Sequence, residues 1–283
     1  MSRRISNSRR LAPAISSDSK QGIIAKLLGQ SAVSAAKNGF YINRTGEKVY
    51  WRQLVETTCA SKRSIPPEER LPDGKSRVFS ETRAQVTNDT TIGAARRLTE
   101  AGHRPLALNF ANGIHPGGGF LGGAKAQEEV LCRSSALYQT LVDDRMYEAH
   151  RKRLRPDSTD WAIYSPDVPV FRKDDGRELD RPWLLSFITC AHPSLPGSAS
   201  PNPAICYRGG FTAFSRSPSF RLFGTRPWSM GLWRLRQRPR RTAMDFRRAL
   251  KNDFRGAFSD IVFAITDWSP ERRFLGPFRD GFS

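Results

Sequence analysis

Cysteine is scarce in this chain and carries no pattern: Cys59, Cys132, Cys190 and Cys206 are scattered, with no Cys-x-x-Cys pair. That spacing argues against a disulfide framework or a structural zinc site, and makes an intracellular location the default expectation. No apolar run approaches the ~18 residues that a bilayer-spanning helix needs. No secretory signal is visible either; residues 1–20, MSRRISNSRRLAPAISSDSK, read as a flexible basic tail. Without such a signal, the glycosylation triplets at Asn43-Arg44-Thr45 and Asn88-Asp89-Thr90 carry little meaning. Acidic residues are the other shortage, 27 against 46 basic ones, for a formal charge of +19. A surplus of that size points to a polyanionic partner. Its distribution qualifies the point. Part lies in the tail (Arg3, Arg4, Arg9, Arg10, Lys20), part in Arg151-Lys152-Arg153-Leu154-Arg155, and a large part in an interval between Asp180 and Asp245 that holds no Asp, Glu or Lys. No nucleic-acid-reading motif accompanies the charge, so neither nucleic acid nor a membrane is expected as a specific ligand.

What is present fills one large core. Gly22 to Lys37 predicts a helix, and Phe40 to Ile42 with Lys48 to Trp51 a small hairpin around Asn43, Thr45 and Gly46. Gln53 to Ser64 predicts a short helix, Ile65 to Gly74 a connecting loop, and Arg77 to Phe79 a strand. Thr82 to Ala101 reads as one helix whose stripe is Val86, Ile92, Ala95 and Leu98, stopped by Gly102. Tyr147 to Arg155 reads as a solvated, basic helix end. Trp161 to Tyr164 and Val168 to Arg172 predict two extended runs with an exit at Ser165-Pro166-Asp167 between them, and Asp174-Asp175-Gly176 makes a turn. Trp183 to Cys190 suits a strand covered on both faces. Thr242 to Phe254 predicts a helix and Ile261 to Ile265 a last buried strand. The sum is an α/β sandwich.

The chain is organised around Asn109 to Leu141. The apolar run Pro105 to Phe110 predicts a buried strand. Two glycine clusters follow, Gly117-Gly118-Gly119 and Gly122-Gly123, and lead into Gln127-Glu128-Glu129. A helical stripe then runs through Val130, Leu131, Ser134, Leu137, Tyr138 and Leu141. Glycines let backbone N–H groups approach a phosphate, and a helix N-terminus adds partial positive charge. Paired carboxylates at the same point fit acid/base chemistry beside a phosphate-bearing ligand. A glycine-rich turn alone is commonly only a turn, and Glu in a first helical turn suits the macrodipole. The two together, in this order, are more specific. His115 beside the loop reads as a turn residue.

This stretch resembles the signature of the poly(ADP-ribose) glycohydrolases, especially the compact bacterial and fungal type: Phe110-Ala111-Asn112 after a strand, three glycines at Gly117 to Gly119, the spacer Phe120 to Ala126, and Gln127-Glu128-Glu129. Thr82 to Leu98 and Tyr164 to Phe171 resemble the family more weakly. The resemblance covers about residue 20 to Cys190 and resumes near Arg241. It implies a macrodomain-like three-layer α/β/α sandwich with a mixed central sheet, and hydrolysis of ribose–ribose bonds in poly(ADP-ribose) to ADP-ribose. It further implies Glu129 as general acid and then base, and Glu128 orienting the substrate ribose. Phe110, Ala111, Asn112, Gly117, Gly118, Gly119 and Gln127 would bind substrate. No cofactor or metal is called for. The partners are poly(ADP-ribose) or ADP-ribosylated proteins, acted on by a monomer. For its first role Glu129 has to carry a proton near neutral pH; the helix N-terminus favours the charged form, while burial and the Glu128 charge favour the protonated one.

Residues 193–240 depart from the family. They are Pro, Ser and Arg with stray aromatics and offer no convincing element, which counts against them inside a compact domain. The family places a helix, a strand and a second glycine-rich loop there, similar to Leu-Gly-Ala-Trp-Gly-Cys-Gly-Ala-Phe-Gly-Asn-Asp-Pro. We read the interval as translated in a shifted frame. Trp228, Met230 and Trp233 have single codons; starting one base later, Trp228-Ser229-Met230-Gly231 becomes Gly-Ala-Trp-Gly when the serine codon is AGC. Leu232 to Pro239 likewise becomes Cys-Gly-Ala-Phe-Gly-Asn-Asp and then proline. The expectation is a sheet disrupted at this interval and an impaired chain, within a domain of four parts (21–104, 105–192, 193–240, 241–283). An unusual basic insertion is the alternative, and the nucleotide sequence separates the two. Two other functions stay open: an ADP-ribose-binding module without hydrolysis, which the Glu128-Glu129 pair argues against, and a basic nucleic-acid binder, which would show salt-sensitive DNA binding without the tail and without 193–240.

Overall fold

A computed structural model of the chain describes residues 17–69, 79–153, 159–191, 222–223, 239–252 and 254–282. Helix α1 (Ser17–Asn38) opens the chain, starting inside the stretch expected as tail. The hairpin β1 (Phe40–Ile42) and β2 (Lys48–Tyr50) follows as expected, then α2 (Arg52–Ser61). Seven strands make one mixed sheet. These are β3 (Arg63–Ile65), β4 (Arg83–Thr87), β5 (Leu106–Ala111), β6 (Ala162–Arg172), β7 (Glu178–Ala191), β8 (Leu222–Phe223) and β9 (Asp260–Ala264). Their spatial order is β3-β6-β7-β5-β8-β9-β4. The β3–β6 and β6–β7 pairs are antiparallel; the β7–β5, β5–β8, β8–β9 and β9–β4 pairs are parallel.

Two apolar clusters, one on each face, make the layers. On one face Ala32 and Ala35 of α1, Val55 of α2, and Ile92, Ala94 and Ala95 of α3 (Thr91–Glu100) pack together. They are joined by Val130 and Leu131 of α4 (Gln127–Ser134), Leu137 and Leu141 of α5 (Leu137–Leu141), and Tyr147 of α6 (Arg145–Arg151). On the other face Ala243, Phe246, Ala249 and Leu250 of α7 (Pro239–Asn252), and Leu275 and Phe278 of α8 (Leu275–Phe282), cover Leu106, Leu108, Ile188, Ile261 and Phe263. The spacing of the α7 residues puts its apolar side chains on one stripe, with Arg241, Arg247 and Arg248 exposed opposite. Among the described residues no helix is long and apolar enough to cross a membrane.

Several expectations need correcting. Thr82 to Ala101 is not one helix: β4 runs parallel to β9, and Asn88 to Thr90 cap a separate α3, with the Thr90 hydroxyl accepting from Gly93 N at 2.9 Å. The stripe failed because Val86 faces a sheet neighbour, not a helical turn. The second helix stops at Ser61, and Arg63–Ile65 pairs with β6 instead. The helix expected through Leu141 breaks at Ser135, which is extended (φ −145°, ψ 176°) and bridges to Val170. The two extended runs around Ser165 are one strand with a bulge, where Asp167 takes φ 47° and its N–H meets Ser186 Oγ at 3.1 Å. Tyr147 and His150 are buried, so α6 is a packed helix and not a solvated end. Helix α8 is unforeseen. In 193–240 the described Leu222–Phe223 pair with both β5 and β9, so the sheet is continuous there rather than disrupted. The rest of that interval to 238 lies outside the described residues, as do residues 77–78 of the strand expected at Arg77 to Phe79 and most of the tail.

One buried cation ties these layers together. The Arg172 guanidinium, at the end of β6, donates to Leu28 O (2.8 Å) and Ser31 Oγ (2.9 Å) of α1, to Arg133 O (2.7 Å) of α4, and to Glu178 (2.8 Å) of β7. Removing it takes the donor from the buried Arg133 carbonyl and from the half-buried Glu178, and unties α1 at Leu28 and Ser31. Arg172→Met is expected to cost about 3 kcal/mol of stability, read as a lowered urea midpoint; an unchanged midpoint would show the clamp to be dispensable.

Candidate active site

The site is built where β5 ends and α4 begins. Gln127 joins the two: its Oε1 accepts Phe110 N (3.0 Å), and its Nε2 donates to Leu108 O (2.7 Å) and Thr91 Oγ1 (3.3 Å). The Gln127 amide is therefore bonded within the fold, sits at 5% exposure and fixes the start of α4. The partly buried Phe110 side chain packs against the α7 cluster, and its backbone N–H meets Gln127. Ala111 is buried.

The carboxylates come next, and both are inside the protein: Glu128 is 3% exposed and Glu129 7%. Burial of such groups is costly unless each finds hydrogen-bond donors. Here the donors are backbone N–H groups of the loop. Glu128 Oε2 accepts from Asn112 N at 2.7 Å and Oε1 from Gly117 N at 3.1 Å. Glu129 Oε1 accepts from Gly119 N at 3.0 Å, while its Oε2, also buried, has no hydrogen-bond partner. Burial is the main force on Glu128, pushing its carboxyl up to about 8; the Glu129 charge adds to this, and hydrogen bonds from Asn112, Gly117 and the Asn109 side chain work against it.

Loop geometry explains the glycines. Gly118 sits at φ 57°, and a Cβ there would lie 2.5 Å from Glu129 Oε1 and 3.0 Å from Glu128 Oε2. Both carboxylates thus converge on the loop backbone, which only glycine allows to come this close. Asn112 shapes the loop entrance, its Oδ1 accepting from Ile114 N and His115 N, both at 3.0 Å. His115 itself is exposed. The histidine that matters structurally is His150, whose Nδ1 lies 2.9 Å from Gly113 O and Nε2 2.7 Å from Thr159 Oγ1, holding the loop to α6.

The structure thus brings together Asn112, Gly117, Gly118, Gly119, Glu128 and Glu129, and moves Phe110 and Gln127 into supporting positions. Sequence reasoning missed Asn109, Thr91 and His150. Asn109 had a readable signal, as the one polar residue in an otherwise apolar strand; Thr91 had none.

The family model described as microbial-type PARG, catalytic domain, matches residues 29–173. Among solved structures, a poly(ADP-ribose) glycohydrolase from Thermomonospora curvata is similar at 34% identity and TM-score 0.78, over 91% of this chain and 99% of that one. The same enzyme bound to the inhibitor ADP-HPD gives 34% and 0.77, over 90% and 98%. A poly(ADP-ribose) glycohydrolase from Deinococcus radiodurans in complex with ADP-ribose gives 33% and 0.68, over 81% and 97%. Comparison with curated proteins finds no match.

Two outcomes follow from the geometry. An acid whose folded pKa is raised binds its proton more tightly folded than unfolded, so stability falls as pH rises from the ordinary value of 4.5 to about 8. Glu128→Gln is expected to remove that fall and to gain of order 2–4 kcal/mol at pH 8, checked by urea unfolding at pH 5 and pH 8. An equal fall in wild type and variant would contradict it. Gly118→Ala should lose roughly 1–3 kcal/mol and displace the carboxylates.

Proposed function

The chain belongs to the microbial-type poly(ADP-ribose) glycohydrolase family, and from that premise we propose that Glu129 cleaves the ribose–ribose bond of poly(ADP-ribose), first as acid and then as base. Family membership makes the protein a glycosidase, with ADP-ribose as its product ligand. Cleavage passes through an oxocarbenium-like state that needs a proton for the departing oxygen and a base for water. The observation carrying the assignment is the contrast between the two carboxylates. Both oxygens of Glu128 are held by backbone N–H groups, whereas Glu129 keeps one buried oxygen, Oε2, without a partner. Glu129 Oε2 is therefore the atom free to meet the glycosidic oxygen.

Glu128 receives the ribose hydroxyls. Before substrate arrives, burial favours a proton on Glu128. Ribose hydroxyl donors, added to the two backbone donors, favour its charged form. Gly117 to Gly119 let the loop pass close to ribose and diphosphate, and Asn112 borders the same space. Gln127 and Phe110 act by fixing β5 to α4. Acid, base and water suffice, so no cofactor enters. We take the substrate to be the polymer or ADP-ribosylated protein, the working unit to be a monomer of residues 21–283, and the location to be intracellular. We also carry forward the shifted-frame reading of 193–240.

The test is release of ADP-ribose from an automodified acceptor by three proteins: this chain, a form with 193–240 retranslated in the shifted frame, and the retranslated form with Glu129→Gln. The retranslated form is expected to be active, and the Gln variant to be slower by about 100- to 10,000-fold with ADP-ribose binding kept. A folded retranslated form that binds ADP-ribose without releasing any would make the protein a binding module. Equal activity of the first two would end the frame reading.

A further inference from the structure

The outer side of the α7–α8 layer is cationic. Arg240, Arg247 and Lys251 repeat at helical spacing along one line of α7, and Arg241 and Arg248 along the next; all five are exposed. Arg255 follows just past the helix and is exposed as well. On other surfaces Arg44, Arg83, Arg96, Arg97 and Arg177 each hold a carboxylate. On α7 Arg241 does so, 4.0 Å from Asp245; among the described residues Arg240, Arg247, Arg248, Lys251 and Arg255 have no carboxylate within that distance. The fold gains nothing from this arrangement. Arg247 and Lys251 are like charges one turn apart, and Arg240 and Arg241 stand in a first turn where the helix dipole opposes them. Two grooves open on the same surface. One, of about 730 Å³, is lined by Arg247, Lys251 and Arg255 with Leu250, Ala84 and Phe282, and by a single acid, Glu81. The other, of about 640 Å³, lies at the start of α7, where Arg240, Arg241, Arg272 and Arg273 face Glu271 and Asp280 beside Pro277. Cations outnumber carboxylates in both, three to one and four to two.

We propose that this surface binds poly(ADP-ribose) itself, as an anchoring site on the side of the sheet away from the catalytic carboxylates. This rests on the reading of the polymer as substrate. Diphosphates of the polymer lie on the two lines of cations, which are mostly arginine, and a guanidinium offers a phosphate paired donors. The grooves add apolar walls inside a cationic rim, Leu250 and Phe282 in the larger one, and so take an adenine whose phosphates stay on the rim. A nucleic-acid duplex keeps its bases stacked inside and has nothing to place in such grooves. Helix α7 covers the sheet face opposite to α4, so the stretch anchored here is not the stretch being cut. Holding one part of a long polymer raises the effective concentration of the rest at the site. Arg247, Arg248, Lys251 and Arg255 lie outside 193–240, so this surface is the same in either reading of that interval.

The experiment measures polymer binding, not cleavage. The full chain carrying Glu129→Gln is titrated into fluorescently labelled long poly(ADP-ribose) at several salt concentrations. It is compared with the same protein also carrying Arg247→Gln, Arg248→Gln and Lys251→Gln. Losing three cations is expected to weaken binding about tenfold and to flatten the slope of log K against log salt by about 2. Lys251→Glu alone should weaken it about threefold. Equal affinity and slope in the folded triple variant overturn the proposal; if that variant does not fold, an unmoved affinity in Lys251→Glu overturns it. Single-stranded DNA with as many phosphates serves as competitor and should displace the labelled polymer less well than unlabelled polymer does. Displacement by DNA at equal or lower concentration would make this a nucleic-acid surface and also overturn the proposal. Absence of ADP-ribose release in the separate assay, with the binding loss seen here, would end the cleavage reading and leave the anchoring site standing. Release with no change of binding in the variants would do the reverse.

Discussion

Two adjacent carboxylates at the first turn of a helix, both shut away from water, set the terms for the rest of this molecule. Two such groups repel each other and lose solvation together, so they persist only where fixed donors replace water. Side chains supply few of those donors here. Backbone N–H groups of Asn112, Gly117 and Gly119 do, and this requires a loop that folds back over the helix start with almost no side chain in between. The three glycines, the left-handed turn at Gly118 and the commitment of Gln127 to β5 all follow from that single requirement.

The loop in turn needs a wall behind it, and α1 provides one. At Gly29 the helix backbone comes so close that an added Cβ would stand 2.6 Å from Phe120 O. Phe120 is buried and its ring lies tilted against Tyr138 of α5, the centroids 4.8 Å apart. Arg133, one turn past the carboxylates, reaches back to Ala124 O, and Arg172 ties the Arg133 carbonyl to α1. The glycine loop is thus gripped between the helix that carries the carboxylates and α1. Preorganised donors of this kind lose nothing to rearrangement when charge shifts during reaction.

Much of this was legible beforehand, for definite reasons. The strand, glycine loop and carboxylate order from Leu106 to Glu129 could be read because glycine and paired Glu are rare signals with direct physical meanings. The hairpin at Phe40 showed as clearly, and so did the run from Trp183, although it is covered on both faces only from Leu185 onward, with Leu184 exposed. The strand β4 did not, because Val86 and Ile92 fall at a spacing that a helix and a strand-turn-helix both satisfy; only the partner strand β9, far along the chain, decides between them. The break at Ser135 is set in the same way by Val170 across the sheet. The hydrogen bonds of Gln127 could not be read beforehand, because they run to a strand 17 and 19 residues away. Nothing local marks Arg172, one of 46 basic residues and the end of an expected extended run, as buried.

The central claim is that a buried carboxylate pair, held by loop backbone, faces the glycosidic bond through the free oxygen of Glu129. A crystal structure of the retranslated Glu129→Gln protein with a short poly(ADP-ribose) chain tests it most directly. The account predicts the ribose hydroxyls on Glu128, the diphosphate along Gly117 to Gly119, and the glycosidic oxygen within hydrogen-bonding distance of the amide at position 129. A chain bound with that oxygen facing any other side chain, or seated away from the glycine loop, would contradict it.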